Sequence, residues 1–366
     1  MRLHWLELRE FRSHRESRLD LSGEPALVLG ENGSGKTNLI EAIVLLSIGR
    51  SFRGARDREM IRRAAGVFEV RAGVADRGGT ATGITVRGSA RGGREVCLNG
   101  EPLGRLTDLL GRFPTVHFSV DDVTVLGGSP AARRRFLDVA LCQLEPAYVG
   151  ALRDYIAALR QRNRLLVTRT GSGERAEFEA WEEILARTGL ELDRRRSDLA
   201  RELTRHLADL GAEVDAALRP AIRYAAPGEP EGSGTTAEAR MEKLREARAR
   251  DGRVGWTGEG PHRARPECRI AGEDLNEGAS RGYVRLFSIL LRLGLARVFE
   301  ERQGEGPVVL LDDPESELDG RWMGRLLRLL PESGQAIVTA CRELTDLPPR
   351  FRRIPIESLA EEGAAA

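Results

Sequence analysis

Several things are missing from this 366-residue chain, and each absence removes a class of protein. There is no run of about 18 apolar residues, so no helical membrane span is expected and no membrane partner. The first residues, Met1-Arg2-Leu3-His4-Trp5-Leu6-Glu7, hold no apolar core of a secretory leader. The four cysteines (Cys97, Cys142, Cys268 and Cys341) lie far apart with no C-x-x-C pair. They predict reduced, mostly buried thiols in a cytoplasmic protein, not a disulfide frame or a zinc site. The net charge is only +1, which leaves nucleic acid open as a partner because acids and bases can occupy different faces. Nearly all the positive charge is arginine, the better residue for bidentate phosphate contacts, although GC-rich coding would give the same excess.

What is present is organised around Leu27-Val28-Leu29-Gly30-Glu31-Asn32-Gly33-Ser34-Gly35-Lys36-Thr37. An apolar strand, a glycine-rich loop and a helix start follow one another with the spacing G-x-x-x-x-G-K-T, the phosphate-binding P-loop. Glycines at 30, 33 and 35 let the backbone bring its N–H groups against phosphate oxygens, with Glu31, Asn32 and Ser34 between them. The helix from about Lys36 to Leu46 points its positive end at the same anion. Lys36 is expected to reach the β- and γ-phosphates, and the Thr37 hydroxyl to hold Mg²⁺. A nucleoside triphosphate and Mg²⁺ are therefore the expected cofactors. Arg12, in the preceding loop, is either a guanidinium laid on the adenine ring or an ordinary exposed arginine.

Downstream, 66–98 carries short alternating runs closed by the turn signal Asn99-Gly100, which predicts an antiparallel meander beside the P-loop sheet. Asp121 and Asp122 are placed to cap a helix or to sit near the nucleotide. Ser129-Pro130 is an N-cap with a proline at the first helical position, ahead of Arg133-Arg134-Arg135. That triplet in a first helical turn opposes the helix dipole, so phosphate contact and plain solvation both remain open. Long stripes at helical spacing follow, from Tyr148 to Leu166 and from Phe178 to Val214, and read as helix-on-helix core. A polar loop at 226–237 precedes a short helix, Ala239–Arg250. Ser280-Arg281-Gly282 opens an amphipathic helix from about Val284 to Glu300. Leu310-Leu311-Asp312-Asp313 reads as a buried parallel strand ending in two acids. Beside a P-loop, Asp312 is placed to bind the metal and Asp313 to orient or deprotonate the attacking water.

These pieces resemble the ATP-binding cassette head of chromosome and repair ATPases, and within that group they are most similar to the RecF family. The resemblance rests on the P-loop and on Gly128-Ser129-Pro130 through Asp138. It is supported by Gln161-Arg162-Asn163, Gly260-Pro261-His262-Arg263, the acidic strand and Ser316-Glu317-Leu318-Asp319 as D-loop. It implies an α/β fold: a P-loop head of mixed sheet, flanking helices and meander, with an inserted helical lobe. The expected bounds are 1–115 and 252–366 for the head and 116–251 for the lobe. It further implies that two copies close head-to-tail around two Mg·ATP. Each nucleotide would lie between one P-loop and the partner copy's signature, where Ser280 and Gly282 point at phosphate. Closure would grip DNA at gaps or single-strand/duplex junctions, and slow, DNA-stimulated hydrolysis would release it. RecO, RecR and the loading of a recombinase come with the family.

Three features depart from the family pattern. Tyr283 follows the signature where glutamine is usual, Ala264 and Arg265 stand where two acids are usual, and Val120 stands where proline is common. Other classes fit less well. A transporter cassette keeps its P-loop and signature far closer than the roughly 240 residues seen here. A small P-loop kinase needs no signature or D-loop, an SMC-type ATPase needs a long coiled coil, and a nuclease fusion needs a further acidic cluster.

Overall fold

The computed structural model describes residues 1–119, 129–168, 174–226, 235–275, 279–316, 320–331, 334–344 and 347–357. Asp121, Asp122, most of the 226–237 loop and Glu317-Leu318-Asp319 of the expected D-loop lie outside them. The chain divides into two compact units. The first comprises Met1–Gly127, His206–Pro220 and Ile270–Ala366; the second comprises Gly128–Arg205 and Ala221–Arg269.

The first unit is built on two sheets. Strands β1 (Arg2–Phe11), β2 (His14–Asp20), β4 (Val67–Ala75), β5 (Ala81–Ser89), β6 (Arg94–Leu98) and β7 (Glu101–Pro102) form one, in the order β2-β1-β4-β5-β6-β7. Its pairings are antiparallel, and β4 and β5 bury alternate residues, as expected of a sheet with one face on a core. The other sheet runs β14-β3-β13-β12-β8 and is parallel throughout. Its strands are β3 (Ala26–Leu29), β8 (Thr115–Phe118), β12 (Val308–Asp312), β13 (Ala336–Ala340) and β14 (Arg352–Pro355). Helix α1 (Lys36–Ile48) touches strands of both sheets. That explains why its residues from Leu39 to Ser47 are buried all the way round, with no polar stripe.

The second unit is helical: α3 (Pro130–Leu144), α4 (Pro146–Thr168), the first part of α5 (Glu174–Val214) and α6 (Ala237–Val254), with β9 (Ala221–Arg223) paired antiparallel to β10 (Glu267–Ile270). Ser129 caps α3 as expected, accepting from the Ala132 N–H at 3.3 Å. The short helix α2 (Asp57–Met60), the strand β11 (Glu273–Asp274), α7 (Arg281–Gln303) and α8 (Gly320–Arg328) belong to the first unit. The compact lobe therefore differs from the expected 116–251. Its start moves on because β8 pairs into the parallel sheet. Its end moves on because 252–269 stays with the helices through β9–β10. No helix among the described residues is long and apolar enough to cross a membrane.

A P-loop cluster at the ends of three parallel strands

In the parallel sheet β3 and β12 flank β13, in a register that aligns Val28, Thr339 and Asp312. The P-loop after β3, the acids that end β12 and the turn after β13 thus meet at one carboxyl edge, the place where open α/β sheets bind ligands. The loop is locked onto β13 by the Gly30 N–H, which donates to the Ala340 carbonyl at 3.2 Å. Gly35 has φ of 104°, and a Cβ there would lie 2.8 Å from His14 Nε2 and 2.9 Å from Ser13 Oγ, so only glycine fits. His14 is buried, which holds its pKa below the usual value. As a neutral ring it donates through Nε2 to the Gly35 carbonyl at 3.3 Å and pairs through Nδ1 with Ser17 Oγ at 2.9 Å. His14 therefore buttresses the loop, a role its place in the sequence gives no hint of.

The buried Lys36 ammonium donates to the carbonyls of Gly30 at 2.5 Å and Glu31 at 2.9 Å, with Cys341 Sγ 3.5 Å away. Asp312 is 4% exposed and takes hydrogen bonds from the Thr339 hydroxyl, at 2.8 Å, and from Thr37. Burial raises its pKa, and the charge of Asp313 adds to that, against the opposing pull of Thr339, Thr37 and Lys36. Asp313 is also raised, first by burial and then by Glu315. Its backbone sits at φ of 47°, an uncommon conformation for a side-chain-bearing residue that costs about 1 kcal/mol or more. The Asp313 N–H donates to the same Thr339 hydroxyl at 3.0 Å, which holds both acids at the strand end. The structure thus brings together Lys36, Thr37, Asp312 and Asp313. Two acids of raised pKa beside a hydroxyl and an ammonium form an oxygen-rich site suited to a hard divalent cation and a polyphosphate.

Two expected positions fall elsewhere. The Arg12 guanidinium is engaged along its edges, bidentate to Glu41 at 2.7 and 2.8 Å and donating to the Glu59 carbonyl at 2.6 Å. Glu41 is fully buried and also takes Ser51 Oγ. Arg12 is therefore not a free surface arginine; its edges are taken and its faces remain open for stacking. Ser280 caps α7, its Oγ accepting from the Tyr283 N–H at 3.3 Å. It is exposed, and so is Gly282, where a Cβ would meet nothing nearer than that hydroxyl, at 3.8 Å. The first N–H groups of such a helix have no intrahelical partner and face outward. Sequence reasoning missed Cys341, whose exposed thiol lies 2.9 Å from Asn32 Oδ1 and 3.9 Å from Asp313 Oδ1. It also passed over Glu315, which accepts from the Cys341 N–H at 2.8 Å. The other three cysteines are buried.

In the lobe, two of the three arginines at 133–135 are committed to structure. Arg133, almost fully buried, donates to the Pro266 carbonyl at 2.7 Å, and Arg134 to the Ala264 carbonyl at 2.5 Å. Only Arg135 is exposed. His262 bridges Tyr155 OH (2.6 Å) and the Thr257 carbonyl (2.9 Å). Burial, with help from Arg263, Arg134 and Arg196, pushes its pKa down to about 4, so it is neutral at pH 7.

The parallel sheet, the buried P-loop helix and the acid pair beside it, joined to an antiparallel meander, define an ATPase head of the ABC type. SMC heads share the fold at 18% identity, one bound to the C-winged helix domain of ScpA matching with TM-score 0.55 over 94% of this chain and 91% of that one. The model of the RecF/RecN/SMC N-terminal domain family matches residues 2–346, and the chain belongs to the RecF family. It is 35% identical to the DNA replication and repair protein RecF of Cyanothece sp., over 93% of this chain and 91% of that protein. It is 34% identical to that of Moorella thermoacetica, over 95% and 92%. The structure of the recombination mediator protein RecF with ATP, in the RecFOR pathway, superposes with TM-score 0.85 at 30% identity, covering 95% of this chain and 93% of that one.

Proposed function

We propose that this protein is an ATP-dependent DNA-binding protein of recombinational repair and replication restart, in which Mg·ATP joins two copies head-to-tail around DNA. Bound Mg·ATP supplies the phosphoanhydride to be hydrolysed; the chain's own residues position it and time the reaction. Lys36 and the N–H groups of the 30–37 loop offset the triphosphate charge. Thr37 and Asp312 hold the metal. Asp313, strained and already raised in pKa, orients the attacking water and takes its proton. Arg12 offers a guanidinium face to the base while Glu41 holds its edges. Ser280 and Gly282 cover the γ-phosphate of the partner copy.

The observation that carries this reading is the division of the nucleotide machinery. The cluster of Lys36, Thr37, Asp312 and Asp313 is assembled within one chain, whereas the Ser280-capped helix end is exposed and, among the described residues, the Ser280 hydroxyl bonds only the Tyr283 N–H. A helix end that offers free N–H groups to an anion and meets none in its own cluster is what a shared, two-copy site requires. Relatives named DNA replication and repair protein, and a RecF–ATP structure in the RecFOR pathway, support DNA as substrate and RecO and RecR as partners in loading a recombinase at gaps and junctions. Hydrolysis is slow and DNA-stimulated, and reopens the pair. The test is Lys36→Ala, assayed by gel shift on gapped DNA with and without ATP. Loss of all ATP stimulation is expected; stimulation equal to wild type refutes the assignment.

A further inference from the structure

The second unit carries a line of arginines that nothing above employs. From Arg263 to Ile270 the chain alternates without a break: Arg263, Arg265, Glu267 and Arg269 are exposed, and the residues between them are buried. Alternate residues of an extended chain share a face at a spacing of ~6.6 Å. Arg263 ends a 3-10 turn (Pro261–Arg263), and beyond it Arg265, Glu267 and Arg269 share an outward face ~13 Å long. The single acid is offset, since β9 places the exposed Arg223 opposite Glu267.

The row is held rigidly. Arg133 and Arg134 of α3 donate to the carbonyls of Pro266 and Ala264, which fixes the inward edge of the stretch and turns its side chains out. The arginines on the face are not consumed. Among the described residues the side chains of Arg265, Arg269 and Arg223 make no hydrogen bond or ion pair, and that of Arg263 makes only a long one, 3.4 Å, to the Thr257 carbonyl. Arg134, just behind, has its pKa lowered by burial and then by the like charges of Arg196 and Arg263. Uncompensated guanidinium groups on one face call for a polyanion, whose phosphates they can meet bidentately. The row has no aromatic side chain to stack on bases and no apolar anchor of the kind a protein partner buries.

We propose that the 263–269 row binds the phosphate backbone of one nucleic-acid strand, without reading its bases. This rests on the DNA-binding reading above and names where the lobe takes part. The test measures the affinity of the full-length protein with Mg·ATP for a fluorescent duplex carrying a single-stranded tail, by anisotropy across a salt series. The double variant Arg265→Ala/Arg269→Ala should lower the slope of log affinity against log salt by about 2, since two fewer counterions are released. Glu267→Gln should bind several-fold more tightly than wild type. Nucleotide affinity and thermal unfolding of both variants should match wild type, which separates lost contacts from lost folding. A wild type that binds DNA with a slope the double variant leaves unchanged overturns this site alone. A wild type that binds no DNA overturns the function and the site together. Displacement of the DNA by polyglutamate as readily as by unlabelled DNA of equal charge would mark an acidic protein partner instead and overturn the proposal.

Discussion

Both units bury charge, and they do so in opposite ways. In the lobe, Arg162 is completely buried and answered at each of its three nitrogens. It donates to Glu182 at 3.1 Å, Asp251 at 2.8 Å, Thr257 at 2.9 Å and the Leu244 carbonyl at 2.8 Å. Arg196 is treated likewise by Asp138, Tyr148, Tyr224 and the Pro261 carbonyl. At the P-loop, Asp312 and Asp313 are pressed together and held above their usual pKa. A buried charge with its full set of partners fixes a fold, whereas one left short of partners is poised for a ligand. The lobe network is therefore a frame, and the acid pair is a site.

Removing a member from each network should separate the two cases. The largest effect falls on the frame: Arg162→Met removes the buried guanidinium that joins Glu182, left with Arg248, to Asp251, left with the Gly258 N–H, and should cost about 3 kcal/mol, seen as an early, lobe-centred transition in thermal or urea unfolding. A variant as stable as wild type would remove the distinction. Asp313→Asn should fold normally but lose the proton acceptor, so that gel filtration with Mg·ATP retains a dimer that does not decay. A monomer under saturating Mg·ATP would count against the role given to Asp313.

The smallest effect is of opposite sign. Asp312 takes up a proton more readily folded than unfolded, so its contribution to the stability of the nucleotide-free protein is present at acid pH and is lost as pH rises through the raised value. Asp312→Asn should therefore raise the nucleotide-free Tm at pH 7 by about 2 °C while abolishing metal-dependent nucleotide binding. As pH falls through that raised value the wild type should lose affinity for Mg·ATP, because the metal needs the carboxylate. A Tm that falls in Asp312→Asn would show that the acid is satisfied after all.

The same contrast explains what the sequence made legible. The P-loop and the 312–313 acids were readable because their chemistry lies in contiguous residues of fixed spacing, and a short parallel sheet leaves little choice over where strand ends meet. The helix ends at Ser129 and Ser280 were readable through local capping. What escaped was chemistry made by rotation or by distant contact. A run of three arginines does not say that α3 turns Arg133 inward to a carbonyl 133 residues away and leaves only Arg135 in solvent. Arg12 meets Glu41, and His14 meets Gly35, only because β1 and β2 fold over the P-loop helix. The lobe boundaries shifted for the same reason, since β8 and β10 are short strands whose allegiance is set by their partners. The alternation at 263–270 was present in the sequence, but a proline within it and the brevity of β10 hid it.

The most direct measurement is sedimentation velocity of the wild type at constant protein concentration, alone, with Mg·ATP, and with Mg·ATP and tailed duplex DNA. The account predicts a monomer alone, a dimer with Mg·ATP and a dimer co-sedimenting with DNA, with both shifts absent in Lys36→Ala. A wild type that remains a monomer and leaves the DNA free with its nucleotide site saturated would contradict it.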